Sequence, residues 1–584
     1  MQRRQTLGVV ALVILVSAGP AQARTWFSKN KGPTLAQTAS AEVNGRKVVP
    51  LNRETVSQHF GKASGVAVNT ALREGRWKPD QRWLASTGKR YGRLLIVSDM
   101  HPSTGKDTVT RKVNPAEDFK PNMQELDFRK MMQGQWKEAK TDGTNRTLVL
   151  NGDCFEFMQT TRAATGQKLS GQGDRYGALN TPKNIIAKLN AIYAGHPTLF
   201  STYAEHLYRG HRIALVPGNH DRQLQHPSVY KALVKNLVRD VARLVLKDQA
   251  FEPAAGKHKR KKLAHLQAKR IVKERFELHP WFFVVGDVMA RHGHETDKYN
   301  SFSTALGSYY HPQGKDQPME AALGDYIVKG VFNKVERRKP WTDNTSKSFE
   351  VVKAVVRASD YNPIKAFRFL KYLLTREGSP TGKKARARAA ARREKDVRRY
   401  VREFKLLERA NAINPTGAPY TEDLLVESLI RYEDAGAKAA LSHFGRGHGA
   451  LRRLAKLVTL IPRALGDSKS VTKEQQMADI LFRDFNVATL AVGHDHTFRA
   501  EARMVVDSNT KKYRRATVLD SATWTDQLPE IRRDIGFTPT ERRGVVVVDF
   551  DNKGSHAKLM NYDPVRGLQM VNVLETEKEA AAGQ

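Results

Sequence analysis

The middle of the chain contains three short apolar runs that end in the same way. Residues 94–97, 147–150 and 213–216 are almost wholly apolar, and polar residues follow each run at once. Apolar runs of this length, separated by helical spacers, are typical of strands buried on both faces of a largely parallel sheet. The pattern therefore predicts an α/β core whose polar residues gather at the carboxyl ends of the strands.

Other apolar patterns predict the rest of the core. Residues 281–285 and 288–291 flank a Gly286-Asp287 turn and predict a β-hairpin. Apolar residues at steps of three and four from Val229 onwards predict a helix. Four further runs separated by turn residues predict a second, partly antiparallel sheet. They are residues 488–492, 516–519, 544–550 and 556–562.

The long interval between residues 302 and 482 has helical periodicity and no strand pattern. It is too long for a plain loop, so it predicts an inserted helical subdomain. The whole chain then divides into 1–23 as a signal peptide, 24–90 as an N-terminal arm, 91–301 as the first part of the core with a basic helical insertion at about 225–275, 302–482 as the basic inserted subdomain, 483–565 as the second part of the core and 566–584 as a C-terminal tail.

The first 23 residues have the parts of an export signal. Arg3 and Arg4 precede an apolar run at residues 7–16, and Ala21-Gln22-Ala23 provides a cleavage site. The protein is therefore expected to be exported, periplasmic or secreted, with an uncleaved anchor as the alternative. No other run is long enough to cross a bilayer, so no integral membrane span is expected in the mature chain. Cys154 is the only cysteine, which excludes an intrachain disulfide.

The charge of the chain is strongly positive. Lys and Arg number 98 against 60 Asp and Glu, a formal net charge of +38. Such an excess predicts attraction to polyanions and says nothing about the fold. Basic residues are densest at 257–275 and 383–405. These two segments predict binding of nucleic acid or of an anionic lipid surface, and the alternative is that they are solvated helix faces.

The polar residues after the apolar runs include donors for metal ions. Carboxylate, amide and imidazole groups without a thiolate suit Mn, Fe or Zn. Seven such donors are the number expected for two divalent ions that share one ligand. They are Asp99, His101, Asp153, Asn219, His292, His494 and His496. In extended backbone, residues i and i+2 point to one side, so the pairs at 99 and 101 and at 494 and 496 can each face one site.

The blocks D-x-H, G-D-x-x-E, G-N-H-D, H-G-H and G-H-D-H, in this order, resemble the calcineurin-like metallophosphoesterase superfamily. The resemblance spans residues 94 to 496 and does not cover the insertions or the N-terminal arm. It implies a calcineurin-like four-layer αββα sandwich, in which two packed sheets are flanked by helices, here with a large helical insertion. It also implies a dinuclear centre with Asp99, His101 and His496 on one ion, Asn219, His292 and His494 on the other, and Asp153 bridging them.

The function expected from this set is an exported dinuclear metal-dependent phosphoesterase. A hydroxide that bridges the two ions would attack the phosphate ester, with diesters slightly favoured by the positive charge. His220 is a candidate for stabilising the phosphate or protonating the leaving oxygen, Glu156 for orienting His220, and His101 for sharing the acid role. The alternative is a non-catalytic metal-containing protein that binds nucleic acid or anionic envelope lipid.

Two residues beside these blocks have competing interpretations. His294 is an alternative to His292 as the ligand, with the other residue in a supporting position. Cys154 follows Asp153 directly and in extended structure points away from it, so it is expected to be a buried thiol rather than a ligand.

Overall fold

The structure of the protein is a computed structural model. The residues that it describes are 42–43, 46–47, 91–106, 112–113, 117, 119–160, 180–251, 256–279, 282–294, 300, 322, 324–325, 328–329, 333, 398, 402, 421–423, 426, 487–494, 496, 498–506, 513–521, 523–525, 543–551 and 554–571. Most of the N-terminal arm and most of the predicted subdomain at 302–482 therefore lie outside the described residues, as does the predicted signal peptide.

The strands in chain order are β1 Glu42–Val43, β2 Arg46–Lys47, β3 Arg93–Val97, β4 Arg146–Asn151, β5 Arg212–Val216, β6 Phe276–Leu278, β7 Phe283–Val285, β8 Val288–Ala290, β9 Thr489–Val492, β10 Phe498–Val506, β11 Tyr513–Ser521, β12 Gly544–Asp551, β13 Gly554–Asp563 and β14 Gly567–Met570. The helices are α1 Gln124–Asp142, α2 Pro182–Gly195, α3 Pro197–Tyr208, α4 Pro227–Lys247 and α5 Lys257–Arg275. A short 3₁₀ helix, Arg222–Gln225, precedes α4.

The protein is a mixed α/β structure with two mixed sheets. The first has seven strands in the order β14-β13-β12-β3-β4-β5-β6. Strands β3 to β6 are parallel to one another, while β12, β13 and β14 are added antiparallel. The second has five strands in the order β10-β11-β9-β8-β7, with parallel pairing of β9 to both β8 and β11. This arrangement is compatible with an α/β sandwich.

Alternation along strand β3 explains how the layers pack. Leu95 and Val97 belong to the apolar cluster shared with helices α1 to α5. Leu94 and Ile96 point the other way, into a cluster shared with strands of the second sheet. All four side chains are fully buried, and each contributes roughly 1.5 to 3 kcal/mol on burial. The predicted continuous apolar run is therefore a strand buried on both faces, as expected for a central parallel strand.

Helix α4 shows how the sequence determines an outer layer. It begins at Pro227, whose missing N–H is not needed in the first turn, and the His226 side chain accepts a hydrogen bond from Ser228 N. Val229, Leu233 and Leu237 continue the predicted helical period and are buried against the sheet. Its basic residues lie on the opposite side.

Two predicted boundaries are corrected. The segment at about 225–275 is not an insertion, because α4 and α5 form the crossover between β5 and the parallel neighbour β6, and α4 supplies core residues. Strand β6 itself has no signal in the apolar pattern, since it is only three residues long. The predicted tail at 566–584 begins too early, because β14 pairs with β13.

The predicted hairpin at 281–291 and the second, partly antiparallel sheet are both present. However, two of the late runs, now β12 and β13, join the first sheet rather than the second. In the part of the chain that the structure describes, no helix has the length and apolar character needed to cross a membrane.

Candidate metal centre

The candidate site lies where loops from both sheets meet. The carboxyl ends of β3, β4 and β5 lie at one edge of the first sheet, because these strands are parallel neighbours. Backbone hydrogen bonds join their loops: Asp99 N donates to Gly152 O at 3.1 Å, and His101 N donates to Asp153 O at 2.9 Å. In the second sheet, Gly493 N donates to His292 O at 2.9 Å, which joins the ends of β8 and β9. All the predicted ligands come from these five strand ends.

The first group of metal donors consists of Asp99, His101 and His496. His496 Nε2 lies 3.2 Å from Asp99 Oδ1 and 3.2 Å from His101 Nε2. Asp99 is fully buried. Burial alone would raise the pKa of Asp99, but the neighbouring His292 and His496 hold it well below its usual value. Asp99 is therefore a carboxylate, the form that a cation needs.

The second group consists of Asp153, His292 and His494, and Asn219 joins it. His292 Nε2 lies 3.1 Å from Asp153 Oδ2 and 3.1 Å from Asn219 Oδ1. Asp153 Oδ2 is also 3.8 Å from His101 Nε2 in the first group. The Asp153 carboxylate thus stands between the two groups, in the position that a ligand shared by two ions requires.

The spacing and orientation of these donors fit metal ions. Ligand atoms about 2.1 Å from one ion stand about 3.0 to 3.4 Å apart when the angle at the ion is about 90 to 110°. The distances of 3.1 and 3.2 Å within the groups agree with this. His101 Nδ1 bonds Glu156 Oε2 at 2.9 Å, and His292 Nδ1 bonds Asn151 O at 3.1 Å. These two acceptors favour a proton on each Nδ1, which would leave each Nε2 as the atom that binds an ion.

The backbone at the ligands is left-handed rather than extended. Among the residues that the structure describes, five non-glycine residues have positive φ, and all five are predicted ligands: Asp99, His101, Asp153, His494 and His496, with φ between 49° and 77°. Asp99 and His101 contribute to one group, while His494 and His496 contribute to different groups. The extended backbone from which the pairing of 99 with 101 and of 494 with 496 was predicted is not present at these four residues. Left-handed conformations cost free energy and persist where surrounding contacts fix them, which is common at functional sites.

Two glycines allow the loops to approach this closely. A Cβ atom on Gly152 would lie 2.3 Å from the His292 ring, and one on Gly218 would lie 2.3 Å from Asp153 Oδ1. Neither neighbour can withdraw without leaving its group of donors. Glycine, which lacks a Cβ atom, is therefore what permits the close approach of the loops at these two positions.

Glu156 holds two histidines at once. Its Oε2 atom bonds His220 Nδ1 at 2.5 Å and His101 Nδ1 at 2.9 Å, while Oε1 accepts from Met158 N and Gln159 N. Burial would lower the pKa of His220, but the charges of Glu156 and Asp153 raise it to about 9. The His220 side chain remains 16% exposed. Its imidazolium can therefore be oriented by Glu156 and still reach a bound molecule.

Asp221 is a supporting residue that the sequence reasoning missed. Its Oδ1 accepts from Gly218 N at 2.6 Å, and its Oδ2 accepts from Cys154 N at 2.8 Å and Phe155 N at 3.2 Å. Burial and the charge of Asp153 raise the pKa of Asp221 to about 7, while the three N–H donors favour the carboxylate. This side chain ties the loop after β4 to the loop after β5. The only signal for it was its place as the last letter of G-N-H-D.

The residues at and just after the end of β11 stabilise the loop that follows β3, and the sequence analysis did not predict this. Thr523 Oγ1 donates to Asp99 O at 2.7 Å, and Trp524 N donates to the same oxygen at 3.2 Å. Ser98 and Ser521 join their hydroxyl groups at 2.7 Å. The run Ser521 to Trp524 carries no metal donor, so nothing in the sequence pointed to it.

The two ambiguous residues have clear positions. His292 lies in the second group, while His294 packs beside it with ring centroids 5.5 Å apart. The thiol of Cys154 is buried in the apolar cluster, and its S–H contacts Gly152 O at 3.3 Å. The buried thiol of Cys154 agrees with the expectation from the sequence.

The inserted segment contacts the loops of the site. Arg222, two residues after His220, forms a buried ion pair of 2.8 Å with Asp325, and both side chains are 2% exposed. Asn333 Nδ2 donates to Met158 O at 3.0 Å, two residues after Glu156. These described residues of 302–482 thus pack against the chain segments that carry Glu156 and His220.

The basic segment 257–275 is helix α5. Its buried side chains are Ala264, Ala268, Ile271 and Val272. Its lysines and Arg270 are exposed, while Arg260 and Arg275 are half-buried. Most of the segment 383–405 lies outside the described residues; Arg398 and Arg402 in it pair with Glu422, at 3.5 and 2.9 Å.

No protein-family model matches the chain, and the searches of curated proteins and of solved structures returned no match either. The motifs and the geometry of the centre therefore carry the functional argument.

Proposed function

We propose that this protein is a dinuclear metal-dependent phosphoesterase of the calcineurin-like type, exported from the cytoplasm, with phosphodiesters as the favoured substrates. The observation that carries the proposal is the position of Asp153. Its carboxylate lies between two groups of donors, 3.1 Å from His292 Nε2 and 3.8 Å from His101 Nε2. A structural site for one ion has no use for seven donors in two groups, with the further histidine His220 lying beside them.

The metals would be held by Asp99, His101 and His496 on one side and by Asn219, His292 and His494 on the other, with Asp153 shared. The donors are nitrogen and oxygen, so Mn, Fe or Zn suits them. Two such ions, when bound, lower the pKa of water and neutralise the charge of phosphoryl oxygens.

The remaining chemistry belongs to the chain itself. His220 lies against the centre, because its backbone N donates to Asp153 Oδ1 at 2.8 Å. Glu156 fixes the Nδ1 side of the His220 ring, so its Nε2–H faces the partly exposed side. That proton is available to the leaving oxygen of an ester, or it can bond a phosphoryl oxygen as charge develops. His101 has its Nδ1 on Glu156, so its Nε2 is committed to the metal side and His220 is the better acid.

The positive charge supports an anionic substrate. At +38 the chain would attract polyanions and raise the local concentration of phosphate esters near the site. A phosphodiester carries only one negative charge per phosphate, so its attraction to the positively charged protein is strongest when it is part of a polymer. For this reason we favour diesters over monoesters.

The decisive experiment measures hydrolysis of bis-p-nitrophenyl phosphate and of p-nitrophenyl phosphate. Metal-stripped protein is assayed alone and with Mn, Zn, Fe or Mg restored. We expect metal-dependent turnover that falls by about a hundredfold or more in Asp153→Asn, since the shared ligand is lost. The ratio of the two rates shows whether diesters or monoesters are preferred.

The control is Asp423→Asn, which makes the same change at a side chain that is 81% exposed. It should hydrolyse both substrates at the unmodified rate. Binding of two ions per chain without turnover by any metal would contradict the proposal and favour a non-catalytic binding protein.

A further inference from the structure

Helices α2, α3 and α4 enclose a groove of about 610 Å³ on the helical face of the protein. Its apolar lining includes Ile186, Ala204 and Leu244, and its polar lining includes Asn190 and Asn236. None of the residues that line it belongs to the two groups of metal donors. The groove is therefore a feature separate from the candidate metal centre.

One wall of the groove carries a line of cations. Lys235, Arg239, Arg243 and Lys247 occur at every fourth position of α4, and all four are exposed and line the groove. At about 1.5 Å per residue they are spaced about 6 Å apart and extend over about 18 Å. A line of cations along a recess complements a linear polyanion.

The acid within the lining does not cancel this line. Asp240 Oδ2 accepts the Tyr193 hydroxyl at 2.5 Å, and Asp240 Oδ1 accepts from Arg243 Nη1 at 2.8 Å. Four cations against one carboxylate leave three positive charges along the groove. Arg239 also lies over the Tyr193 ring, with its Cζ atom 5.4 Å from the ring centre. Tyr193 and Asp240 thus orient two of the arginines, which reduces the entropy lost on binding.

We propose that this groove binds the phosphate backbone of a single nucleic-acid strand. Positively charged grooves that follow a backbone are the common feature of proteins that bind single strands. The strand would be held through its phosphates without reading the bases, because the Tyr193 ring is 7% exposed and lies under Arg239. The proposal does not depend on the metal centre, although a strand held here would be a phosphodiester supplied to the same protein.

A membrane surface fits the groove less well. Proteins that lie on anionic bilayers combine cations with exposed apolar side chains that enter the lipid. The exposed large apolar residues among the described ones are Leu126, Leu266, Met504, Val565 and Met570. None of them lines the groove, and a recess places its cations away from a flat surface.

The test uses fluorescence anisotropy of labelled oligothymidylate about ten nucleotides long, within the usual site size of such proteins. The full chain is compared with the double variant Lys235→Gln/Lys247→Gln. We expect the dissociation constant to rise about tenfold. The slope of the logarithm of the association constant against the logarithm of the salt concentration should become shallower by about 1.4. This is about 0.7 for each of the two phosphate contacts that the lysines would make with a single strand. Electrophoresis checks that the probe remains intact.

The matched control is Lys137→Gln/Lys140→Gln, which removes the same charge from exposed positions of α1. It should bind the strand within about twofold of the unmodified protein. Equal losses in both double variants would overturn the proposal, because binding would then follow net charge alone. Absence of strand binding also overturns the proposal, whether or not phosphatidylglycerol vesicles bind. If vesicles bind and Lys235→Gln/Lys247→Gln abolishes that binding, the groove is assigned to lipid instead. Since all four substitutions are at exposed lysines, circular dichroism is expected to show unchanged folding.

Discussion

At the scale of single residues, the sequence indicates the donors of the candidate centre but not their backbone conformation. Asp99, Asp153 and the histidines could be named because metal donors at strand ends form a recognisable set. The left-handed φ angles of Asp99, Asp153 and three of the histidines have no signal in the sequence, since such angles favour glycine, and these residues are not glycine. Asp221 could not be identified either. Its carboxylate accepts hydrogen bonds from the backbone N–H groups of Cys154 and Phe155, which are far away in the chain.

A substitution at Glu156 tests how one carboxylate supports two histidines. In Glu156→Gln the side-chain volume is kept, but the oxygen that accepts from both His101 and His220 loses its charge. We expect turnover to fall by about 10² to 10³, the usual contribution of a general acid. Metal affinity should fall about tenfold, since His101 loses its orienting partner. Rates with p-nitrophenyl and phenyl esters, together with metal titration, separate the two effects.

The loss in Glu156→Gln should be larger for the phenyl ester, because its less acidic leaving group depends more on protonation. Glu274→Gln is the control, at a side chain of α5 that is 52% exposed. An equal loss with both esters, together with weaker metal binding, would assign Glu156 to the support of His101 alone.

At the scale of elements, apolar runs predicted strands but not their partners. Strands β3, β4 and β5 follow from continuous apolar segments, because a strand buried on both faces must be apolar throughout. Strand β12 has an equally apolar sequence, Gly-Val-Val-Val-Val, yet only the structure places it beside β3. The pairing depends on long-range contacts that a local pattern does not contain. Likewise, the short strand β6 has no clear apolar pattern, so the sequence alone does not show that α4 and α5 connect two neighbouring strands.

A buried histidine links three elements near the site. His196, between α2 and α3, contacts Glu125 of α1 at 3.0 Å through Nδ1 and Glu117 at 3.4 Å through Nε2. Glu117 also accepts from Ser103 N at 2.8 Å and Gly105 N at 2.6 Å, in the loop that follows His101. The position of this loop therefore depends on a charged imidazole that lies outside the metal centre.

This network predicts a pH-dependent stability. Burial alone would lower the pKa of His196, but Glu117 and Glu125 raise it to about 9, above the value of about 6.5 in an unfolded chain. Because the pKa is higher in the folded than in the unfolded chain, protonation of His196 stabilises the folded state. This stabilisation is complete below about pH 6.5 and is lost as the pH rises through about 9. It amounts to about 3 kcal/mol at its maximum. Urea unfolding of the protein and of His196→Gln at pH 6, 7.5 and 9.5 measures it.

We expect the difference in unfolding free energy between the two proteins to be largest at pH 6 and to shrink steadily towards pH 9.5. Comparing them cancels the titration of the other histidines, and a chelator in every sample removes the effect of pH on metal binding. Curves that stay parallel over this range would show that the imidazole is uncharged in the folded protein.

At the scale of the whole molecule, the candidate centre joins the two sheets. Asp99, Asp153 and Asn219 follow strands of the first sheet, while His292 and His494 follow strands of the second. The apolar cluster between the sheets includes Ile96 and Val546 on one side and Ala290 and Ala491 on the other. Ions bound at the edge of this interface would therefore join the same two sheets that the apolar core holds together.

Metal removal is thus expected to lower the stability of the whole protein rather than of one loop. An ion that binds the folded state alone stabilises it by about 2.7 kcal/mol at a concentration one hundred times its dissociation constant. Chelation should shift the urea midpoint downward in a single transition seen equally by tryptophan fluorescence and circular dichroism. The candidate ligands come from both sheets and from positions 99 to 496, so they converge only in the folded chain.

In Asp153→Asn the chelator should change the midpoint much less, because the shared ligand is absent, while Asp423→Asn should respond as the unmodified protein does. Two separate transitions after chelation would mean that the sheets fold independently and that the core between them, rather than the ions, sets their stability.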